Sequence, residues 1–212
     1  MAGSGEFEPE SERVTRQLRD DILDGVRKPG SKLVERELAA QIGVSRVPVR
    51  DALRVLVAEG LVTPRPRTWA VVREFTPTDI ADLNEVREAL EVMTFRLAAQ
   101  RRDRAGLEQL RTKLDEELTA ARAGDAVRAR RAAADFHETV TSMAANELLS
   151  ELEVTLRSRM RWLLGQHDDL LAMALEHEAL YGAIEDRDVS LVEELVVEHL
   201  ASSRRAIANG PH

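Results

Sequence analysis

The chain has 212 residues, which is enough for two modest domains that each have a hydrophobic core. It contains no cysteine, which excludes disulfides and thiolate metal sites and favours a reducing cytoplasm. No apolar run approaches the ~20 residues that a membrane-spanning helix requires, so we expect a cytoplasmic protein without membrane association.

The net charge of -8 is distributed unevenly along the chain. Residues 27 to 73 contain ten Arg or Lys against four Asp or Glu, a local charge of +6. Residues 76 to 212 contain 17 against 26, a local charge of -9. Because DNA phosphates attract cations, this pattern predicts that a DNA-facing surface is confined to the N-terminal part.

Residues 1 to 9 are small, acidic and aperiodic, and we interpret them as a disordered leader or tag remnant. In residues 10 to 75 we expect a first helix, two short helices joined at Gly43, and two short strands. The strand candidates are residues 61 to 64 and 69 to 73. After Ser45, a candidate N-cap, apolar residues recur at the spacing of one buried helix face, namely Val49, Ala52, Leu53, Leu56 and Val57.

Arginines form a second face of the same short helix. Arg46, Arg50 and Arg54 are spaced by four, and Arg36 on the preceding helix adds a fourth cation. Guanidinium groups suit bidentate contacts with guanine edges and phosphates, and the second helix of a helix-turn-helix enters the major groove. The alternative is an amphipathic hairpin with a solvated basic face.

The segments ERELA, IGVSRVPVRDAL and EGLV resemble the winged helix-turn-helix of GntR-type transcriptional regulators, over about residues 11 to 74. The resemblance implies that Arg36, Ser45, Arg46 and Arg50 contact DNA. The chain departs from the family at Trp69, where the wing tip usually carries a glycine. Tryptophan does not readily supply the positive φ of a tight turn, so minor-groove contact by the wing is not implied.

From Thr76 onward the sequence has a helical pattern without strand candidates. We expect helices at residues 77 to 100, 103 to 123, 125 to 145, 147 to 165, 168 to 186 and 189 to 208. The predicted fold is therefore mainly α, with a winged helix-turn-helix followed by an antiparallel bundle of about six helices.

Arg87 interrupts an apolar seam of the first bundle helix. A buried arginine requires a partner, and Glu91 lies one turn later on the same helix. The alternative is that Arg87 binds an anionic ligand, because its planar guanidinium group suits a carboxylate. Both interpretations remain open.

Three histidines also point toward the predicted bundle interior. His177 and His199 interrupt apolar seams on consecutive helices, and His137 follows Phe136 on an earlier one. Neutral imidazole suits zinc, nickel and related ions, although buried histidines are also found as hydrogen-bonded core residues. His167 lies outside these seams and is expected at the surface.

The segments FHETVTSMAANELL and EHEALYGAIEDRDVSLVEELVVEHL resemble the FCD ligand-binding domain of FadR-like GntR regulators, over about residues 78 to 208. In many such domains three histidines and one aspartate hold a divalent metal beneath a pocket for a small carboxylate. The resemblance implies that Arg87 is the pocket arginine and that the metal ligands are His137, His177 and His199.

The aspartate of that metal site is missing here, because its position is occupied by Ala133. Asp135 cannot replace it on a regular helix, since a two-residue step turns about 200° around the axis. Two alternatives follow: a three-histidine site completed by water or effector, or a site whose weakened affinity leaves it often empty. Zinc or nickel is the expected metal.

These features predict a ligand-responsive repressor that binds a pseudo-palindromic operator as a homodimer, with residues 76 to 212 serving effector binding and dimerisation. One alternative is a DNA-binding regulator whose bundle is only a dimerisation core without metal. Another is a metal-dependent hydrolase, but no HExxH helix or comparable general base is evident. We therefore expect that the protein is not an enzyme.

Overall fold

The computed structural model describes residues 8 to 65 and 70 to 209, with side chains as far as residue 206. The chain divides into two compact units between Phe75 and Thr76. Among the described residues there are nine α-helices and three short strands, which confirms the predicted mainly α fold class.

The N-terminal unit consists of three helices and a small sheet. Its elements are α1 (Glu10–Leu23), β1 (Lys32–Leu33), α2 (Glu35–Ile42), α3 (Arg46–Ala58), β2 (Val62–Pro64) and β3 (Ala70–Val72). Helix α1 packs against α3, and the fully buried Leu18 and Leu56 lie in the core of this unit. Gly43 ends α2 with a φ of 76°, so it supplies the left-handed residue that the tight turn into α3 requires.

The three strands form an antiparallel sheet in the order β1-β3-β2. The predicted hairpin of β2 and β3 is present, but β1 was not predicted because two residues are too short to show alternation. The amide of Gly30 donates to Val72 O at 2.9 Å, and this bond helps to place β1 beside β3. Trp69, the expected wing-tip residue, lies outside the described residues.

The C-terminal unit contains the six predicted helices. They are α4 (Pro77–Arg101), α5 (Arg104–Arg122), α6 (Ala126–Met143), α7 (Glu147–Leu164), α8 (Leu170–Glu185) and α9 (Val189–Asn209). Each begins after a residue whose side chain accepts a hydrogen bond from a first-turn amide, and these residues are Thr76, Asp103, Asp125, Asn146, Asp169 and Asp188. Such caps satisfy amides that have no partner inside the helix.

The core of the C-terminal unit lies between α4, α5, α6, α8 and α9. Its most buried apolar side chains include Phe95, Leu110, Leu114, Phe136, Val140, Leu180, Ile184, Val192 and Val196. Each side chain of this size stabilises the folded state by roughly 1.5–3 kcal/mol when fully buried. A group of polar side chains is buried within the same helices, and this group is one of the two candidate sites described below.

Candidate functional site

The predicted DNA-contacting side chains all lie at the surface of the N-terminal unit. They are Arg36, Ser45, Arg46, Arg50 and Arg54. Arg46, Arg50 and Arg54 border an open groove of about 570 Å³, which Arg65 also lines. The fold of this unit therefore gathers four guanidinium groups around one concave surface.

Glu35, which sequence reasoning missed, lies in the same groove. Its carboxylate accepts from Arg50 Nε at 3.0 Å and Arg50 Nη2 at 2.9 Å, and from Arg46 Nη2 at 3.2 Å. The hydrogen bond with Arg50 lowers the pKa of Glu35 below its ordinary value. One carboxylate on α2 thus orients two arginines on α3. In the sequence, the feature that could have identified Glu35 is its place beside Arg36 at the start of α2.

The N-terminal end of α3 exposes two further side chains. Ser45 occupies the N-cap position, as predicted, but its side chain makes no cap hydrogen bond within the described residues. Val47 is 61% exposed and lies beside Arg46, away from the buried helix face. An exposed valine on a recognition helix suits contact with a thymine methyl group. In the sequence, Val47 could have been identified as an apolar residue that lies outside the buried face of α3.

The second candidate site is a histidine centre, defined as His137 on α6, His177 on α8 and His199 on α9. All three are buried, and one ring nitrogen from each lies within 4.8 Å of the others. His137 Nε2 and His177 Nε2 are 3.2 Å apart. The His177 ring also stacks on Phe136, with centroids 4.6 Å apart, which fixes its plane.

Glutamates lie behind two of these rings and beside the third. His177 Nδ1 contacts both oxygens of Glu117, at 2.8 and 3.0 Å, and His199 Nδ1 lies 2.8 Å from Glu176 Oε2. A carboxylate at Nδ1 holds the proton there and leaves Nε2 as the lone-pair nitrogen. The two rings therefore present their Nε2 atoms to the centre.

His137 differs from the other two histidines. Its Nδ1 lies 3.2 Å from Glu91 Oε1 but is without an aligned hydrogen bond to any described residue. With His177 Nε2 acting as an acceptor, His137 Nε2 must carry the proton, so Nδ1 and the Glu91 carboxylate face each other as two acceptors. This buried atom is therefore left without a suitable partner.

Glu117 could have been identified from the sequence. It continues the seam of Leu107, Leu110 and Leu114 on α5 and is only 1% exposed. A glutamate in that position requires a buried partner. The sequence contains this requirement, but it does not identify His177, which lies 60 residues later.

Two of the imidazoles, those of His137 and His199, are held in the neutral form. Burial lowers the pKa of His137, and burial together with the charge of Arg87 lowers the pKa of His199 well below its ordinary value. Burial acts to raise the pKa of Glu91, but the charge of Arg87 outweighs it, so the pKa lies well below the usual range. Neutral imidazole is the form that binds metal ions.

Arg87 is 1% exposed and contacts several groups at once. Its Nε donates to Glu91 Oε1 at 2.9 Å, its Nη1 donates to Ser203 Oγ at 2.6 Å, and its Nη2 lies 3.1 Å from His199 Nε2. The intrahelical partner considered from the sequence is therefore present. Arg87 also borders a cavity, so the pairing with Glu91 does not remove it from contact with a ligand.

The expectation that His167 lies at the surface was wrong. It is 2% exposed in the turn between α7 and α8, and its Nε2 lies 2.9 Å from Ser203 Oγ. Burial lowers the pKa of His167 to about 3, with further lowering from the charge of Arg87. The turn brings the ring against α9, and this placement is not visible in the periodicity of a single helix.

A cavity of about 120 Å³ adjoins the histidine centre between α4, α6 and α7. Arg87, Glu91 and His137 contribute to its lining, together with Thr94, Thr141 and Glu153. These last three were not singled out from the sequence. The sequence gives little reason to select them, because threonine and glutamate are also frequent on solvated helix faces.

The residues of the histidine centre fit a divalent metal. Two imidazole nitrogens on a tetrahedral zinc ion are about 3.3 Å apart when each Zn–N bond is about 2.0–2.1 Å, close to the 3.2 Å separation of His137 Nε2 and His177 Nε2. A metal at Nε2 would move the His137 proton to Nδ1, which could then donate to Glu91. Asp135 pairs with Arg161 at 2.6 Å instead, and Ala133 offers no ligand atom.

Comparison with known proteins gives two matches along the chain. Residues 10–72 match the bacterial regulatory proteins of the gntR family, and residues 82–202 match the FCD domain. Together these matches cover both units. The chain belongs to the GntR family. The suspected resemblance is thereby confirmed, and this GntR protein is a DNA-binding transcriptional regulator.

Individual relatives agree with this assignment. The probable D-xylose utilization operon transcriptional repressor of Paenarthrobacter nicotinovorans is 30% identical, over 94% of this chain and 93% of its own length. The repressor RspR of Escherichia coli is 27% identical, over 91% and 86%. The solved structure of E. coli McbR/YncC has the same fold, with a TM-score of 0.83 at 22% identity over 95% of this chain and 98% of its own.

The relatives are transcriptional regulators and not enzymes, in agreement with the expectation from the sequence. Among the described residues, no helix is both long and apolar enough to cross a membrane.

Proposed function

We propose that this GntR protein is a repressor that acts in the cytoplasm as a homodimer, binds a pseudo-palindromic operator, and responds to a small carboxylate effector beside a divalent metal. The observation that carries the proposal is the histidine centre, in which one nitrogen from each of three imidazoles lies within 4.8 Å of the others, each ring having a glutamate near its Nδ1 atom. This centre adjoins a cavity that Arg87 also lines.

The N-terminal unit supplies the operator contacts. Arg46 and Arg50 are exposed on α3, where their guanidinium groups can reach guanine edges, and Ser45 and Arg36 flank them toward the phosphates. Arg54 lies on the same face two turns from Arg46 and pairs with Asp51 at 3.2 Å. Two such units in a dimer read two half-sites whose spacing follows the symmetry of the protein.

His137, His177 and His199 hold the metal, for which zinc or nickel is the best match to three imidazole ligands. Glu117 and Glu176 fix two of the rings through Nδ1, and Glu91 would accept from Nδ1 of the third once a metal occupied its Nε2. When bound, the metal supplies an open coordination position for an effector carboxylate. Arg87 Nη2 lies 3.1 Å from His199 Nε2, so the guanidinium group is close enough to the histidine centre to bind the same carboxylate.

The effector acts by favouring one arrangement of the two DNA-binding units of the dimer. Coupling of this kind requires that the effector binds more tightly in one arrangement than in the other. Arg87 is suited to this role because it joins α4 to Ser203 on α9 as well as bordering the cavity. An effector that draws Arg87 toward the cavity therefore alters the contact between these helices.

One observation favours the simpler alternative, in which the bundle is a dimerisation core without metal. Arg87 Nη2 and His199 Nε2 are 3.1 Å apart, so the arginine can satisfy the nitrogen that the metal would otherwise occupy. Metal analysis of protein purified without a histidine tag separates the two functions. About one zinc or nickel ion per chain supports the proposal, and the absence of metal after incubation with either ion supports the alternative.

Arg50→Ala tests the DNA-binding assignment. We expect specific affinity for an operator fragment, selected from genomic DNA, to fall roughly 100-fold, because a bidentate base contact and its charge are both lost. Fluorescence anisotropy at fixed salt measures this change. Arg104→Ala, which removes an exposed arginine from the acidic C-terminal unit, should leave affinity unchanged. Retained specific binding by Arg50→Ala would show that α3 does not read the operator.

His177→Ala tests the metal and effector assignment. We expect zinc binding, followed by calorimetry, to be lost, while operator affinity stays within about two-fold because the N-terminal unit is unchanged. Glu117→Gln should weaken zinc binding by about 10- to 100-fold, since the carboxylate fixes the ring of His177 without contacting the metal. Equal zinc affinity in wild type and both variants would place the metal elsewhere.

A further inference from the structure

The cavity beside the histidine centre has a second polar end, formed by Glu153 with Thr94 and Thr141. Glu153 Oε1 lies 2.9 Å from Thr94 Oγ1, and Glu153 Oε2 is hydrogen-bonded to Thr141 Oγ1. All three residues line the cavity. The function proposed above assigns no role to this end.

The two threonines do not have enough protons for their contacts. Thr94 Oγ1 is also 2.8 Å from Leu90 O, and Thr141 Oγ1 is also 3.1 Å from His137 O. Each hydroxyl has one proton, so two protons face four acceptors: two backbone carbonyl oxygens and two oxygens of Glu153. Among the described residues, the Glu153 end of the cavity therefore has fewer hydrogen-bond donors than acceptors.

A ligand that supplies a donor at this point would complete the set. Burial raises the pKa of Glu153, and the two threonine contacts only partly oppose it, which agrees with a carboxyl group that lacks donors. Polar groups that are buried without partners disfavour any ligand that cannot satisfy them. The cavity should therefore discriminate against acids whose remaining atoms are all apolar.

The volume of the cavity indicates how much of a ligand fits inside it. A cavity of roughly 150 Å³ holds a benzene molecule, which has six carbon atoms. At about 120 Å³, the present cavity has space for roughly five or six non-hydrogen atoms. One carboxylate at the Arg87 end leaves two or three atoms for the remainder of the molecule.

We propose that Glu153 is a specificity-determining residue, and that the effector is a short carboxylic acid bearing a hydroxyl or ammonium donor that binds Glu153 while the carboxylate faces Arg87 and the histidine centre. This inference rests on the proposed effector role of the cavity. Hydroxyl and ammonium groups can both donate the required hydrogen bond to Glu153. A matched set of acids distinguishes the two kinds of donor.

The test compares propionate, lactate, 3-hydroxypropionate and β-alanine by calorimetry on the full-length protein loaded with zinc. We expect at least one donor-bearing acid to bind about 10-fold more tightly than propionate, the effect of one hydrogen bond to a charged group. Preference for a hydroxy acid identifies a hydroxyl donor, and preference for β-alanine identifies an ammonium donor. Equal binding of all four acids overturns the role of Glu153 but leaves the effector cavity intact.

Glu153→Gln should reduce this preference to within about two-fold, because the amide presents one acceptor in place of two. Thr94→Val changes the same cavity without removing the Glu153 carboxylate, so its preference should persist. Glu151→Gln, an exposed substitution on α7, should behave as wild type. An unchanged preference in Glu153→Gln overturns the inference, and the failure of every acid to bind wild type overturns both the inference and the effector function.

Discussion

The two units pair arginine with glutamate in opposite surroundings. In the N-terminal unit, Arg50 and Glu35 form an ion pair at 2.9 Å with side chains 45% and 24% exposed. In the C-terminal unit, Arg87 and Glu91 form one at the same distance of 2.9 Å, with side chains 1% and 13% exposed. The chemistry is the same, but the second pair is much less exposed to water.

This difference decides what each pair can do. Solvent and salt screen an exposed pair, so Arg50 can exchange Glu35 for a DNA phosphate or base with little loss. A buried pair opens only if another charge replaces its partner, because an isolated charge in the core is strongly unfavourable. The N-terminal unit is therefore suited to a partner from solution, and Arg87 to a ligand that enters its cavity with a charge.

The two units also differ in their helix caps. Within the described residues, α1, α2 and α3 have no side-chain cap hydrogen bond, whereas each helix from α4 to α9 has one. In the C-terminal unit, a side chain therefore accepts a hydrogen bond from a first-turn amide of each helix. The N-terminal end of α3 keeps amides available for phosphate oxygens, which helix N-termini bind well.

The largest expected effect comes from removing the buried carboxylate. Glu91→Gln leaves the Arg87 charge in the core without its counter-ion, and we expect the free energy of unfolding of the C-terminal unit to fall by about 3 kcal/mol. Glu35→Gln is the matched change at the exposed pair and should leave stability unchanged within the error of the measurement.

Urea denaturation followed by tryptophan fluorescence measures this difference. The chain has two tryptophans, Trp69 and Trp162, so a Trp69→Phe background leaves only the reporter on α7 in the C-terminal unit. Circular dichroism follows both units, so it measures the effect of Glu35→Gln in the N-terminal unit. Equal losses in Glu91→Gln and Glu35→Gln would contradict the contrast between buried and exposed pairs.

A second prediction concerns the loss of stability at acid pH. All five histidines lie after Thr76, so we expect their protonation to destabilise the C-terminal unit. His167 has a folded pKa of about 3, below its ordinary value of 6.5, so the unfolded chain binds the proton first. Its contribution to stability is complete above about pH 6.5 and is lost toward pH 3, at about 1.4 kcal/mol per pH unit. His167→Gln should therefore lose less stability than wild type on acidification.

Denaturation of metal-free protein between about pH 7.5 and about pH 5 checks this prediction. The quantity compared is the slope of unfolding free energy against pH, so a constant offset caused by the substitution does not matter. Parallel slopes for wild type and His167→Gln would mean that folding does not lower the pKa of His167.

The smallest expected effects are at the helix caps. Asp125 accepts from Arg128 N at 3.1 Å, and Asp125→Ala should lower the free energy of unfolding by about 1 kcal/mol. Ser45→Ala removes no cap bond, so it should leave stability unchanged while weakening operator affinity several-fold. Thermal denaturation and anisotropy measure the two quantities on the same samples. A loss of stability in Ser45→Ala would show that Ser45 caps α3 after all.

The sequence by itself determined the helices, because each is recorded locally in a repeating apolar face and a capping residue. The boundaries of α4 to α9 follow from residues such as Asp103, Asp125 and Asn146. The charge asymmetry between the units and the exposed arginines of α3 are also local properties. They require no knowledge of how one helix packs against another.

Only the tertiary structure decided which polar side chains meet. Glu117 and His177 are 60 residues apart, and Arg87 and Ser203 are 116 apart, so no periodicity links them. The burial of His167 and the pairing of β1 with β3 likewise depend on distant segments. Periodicity gives the direction of a side chain relative to its own helix axis, whereas its partner depends on how the helices pack together.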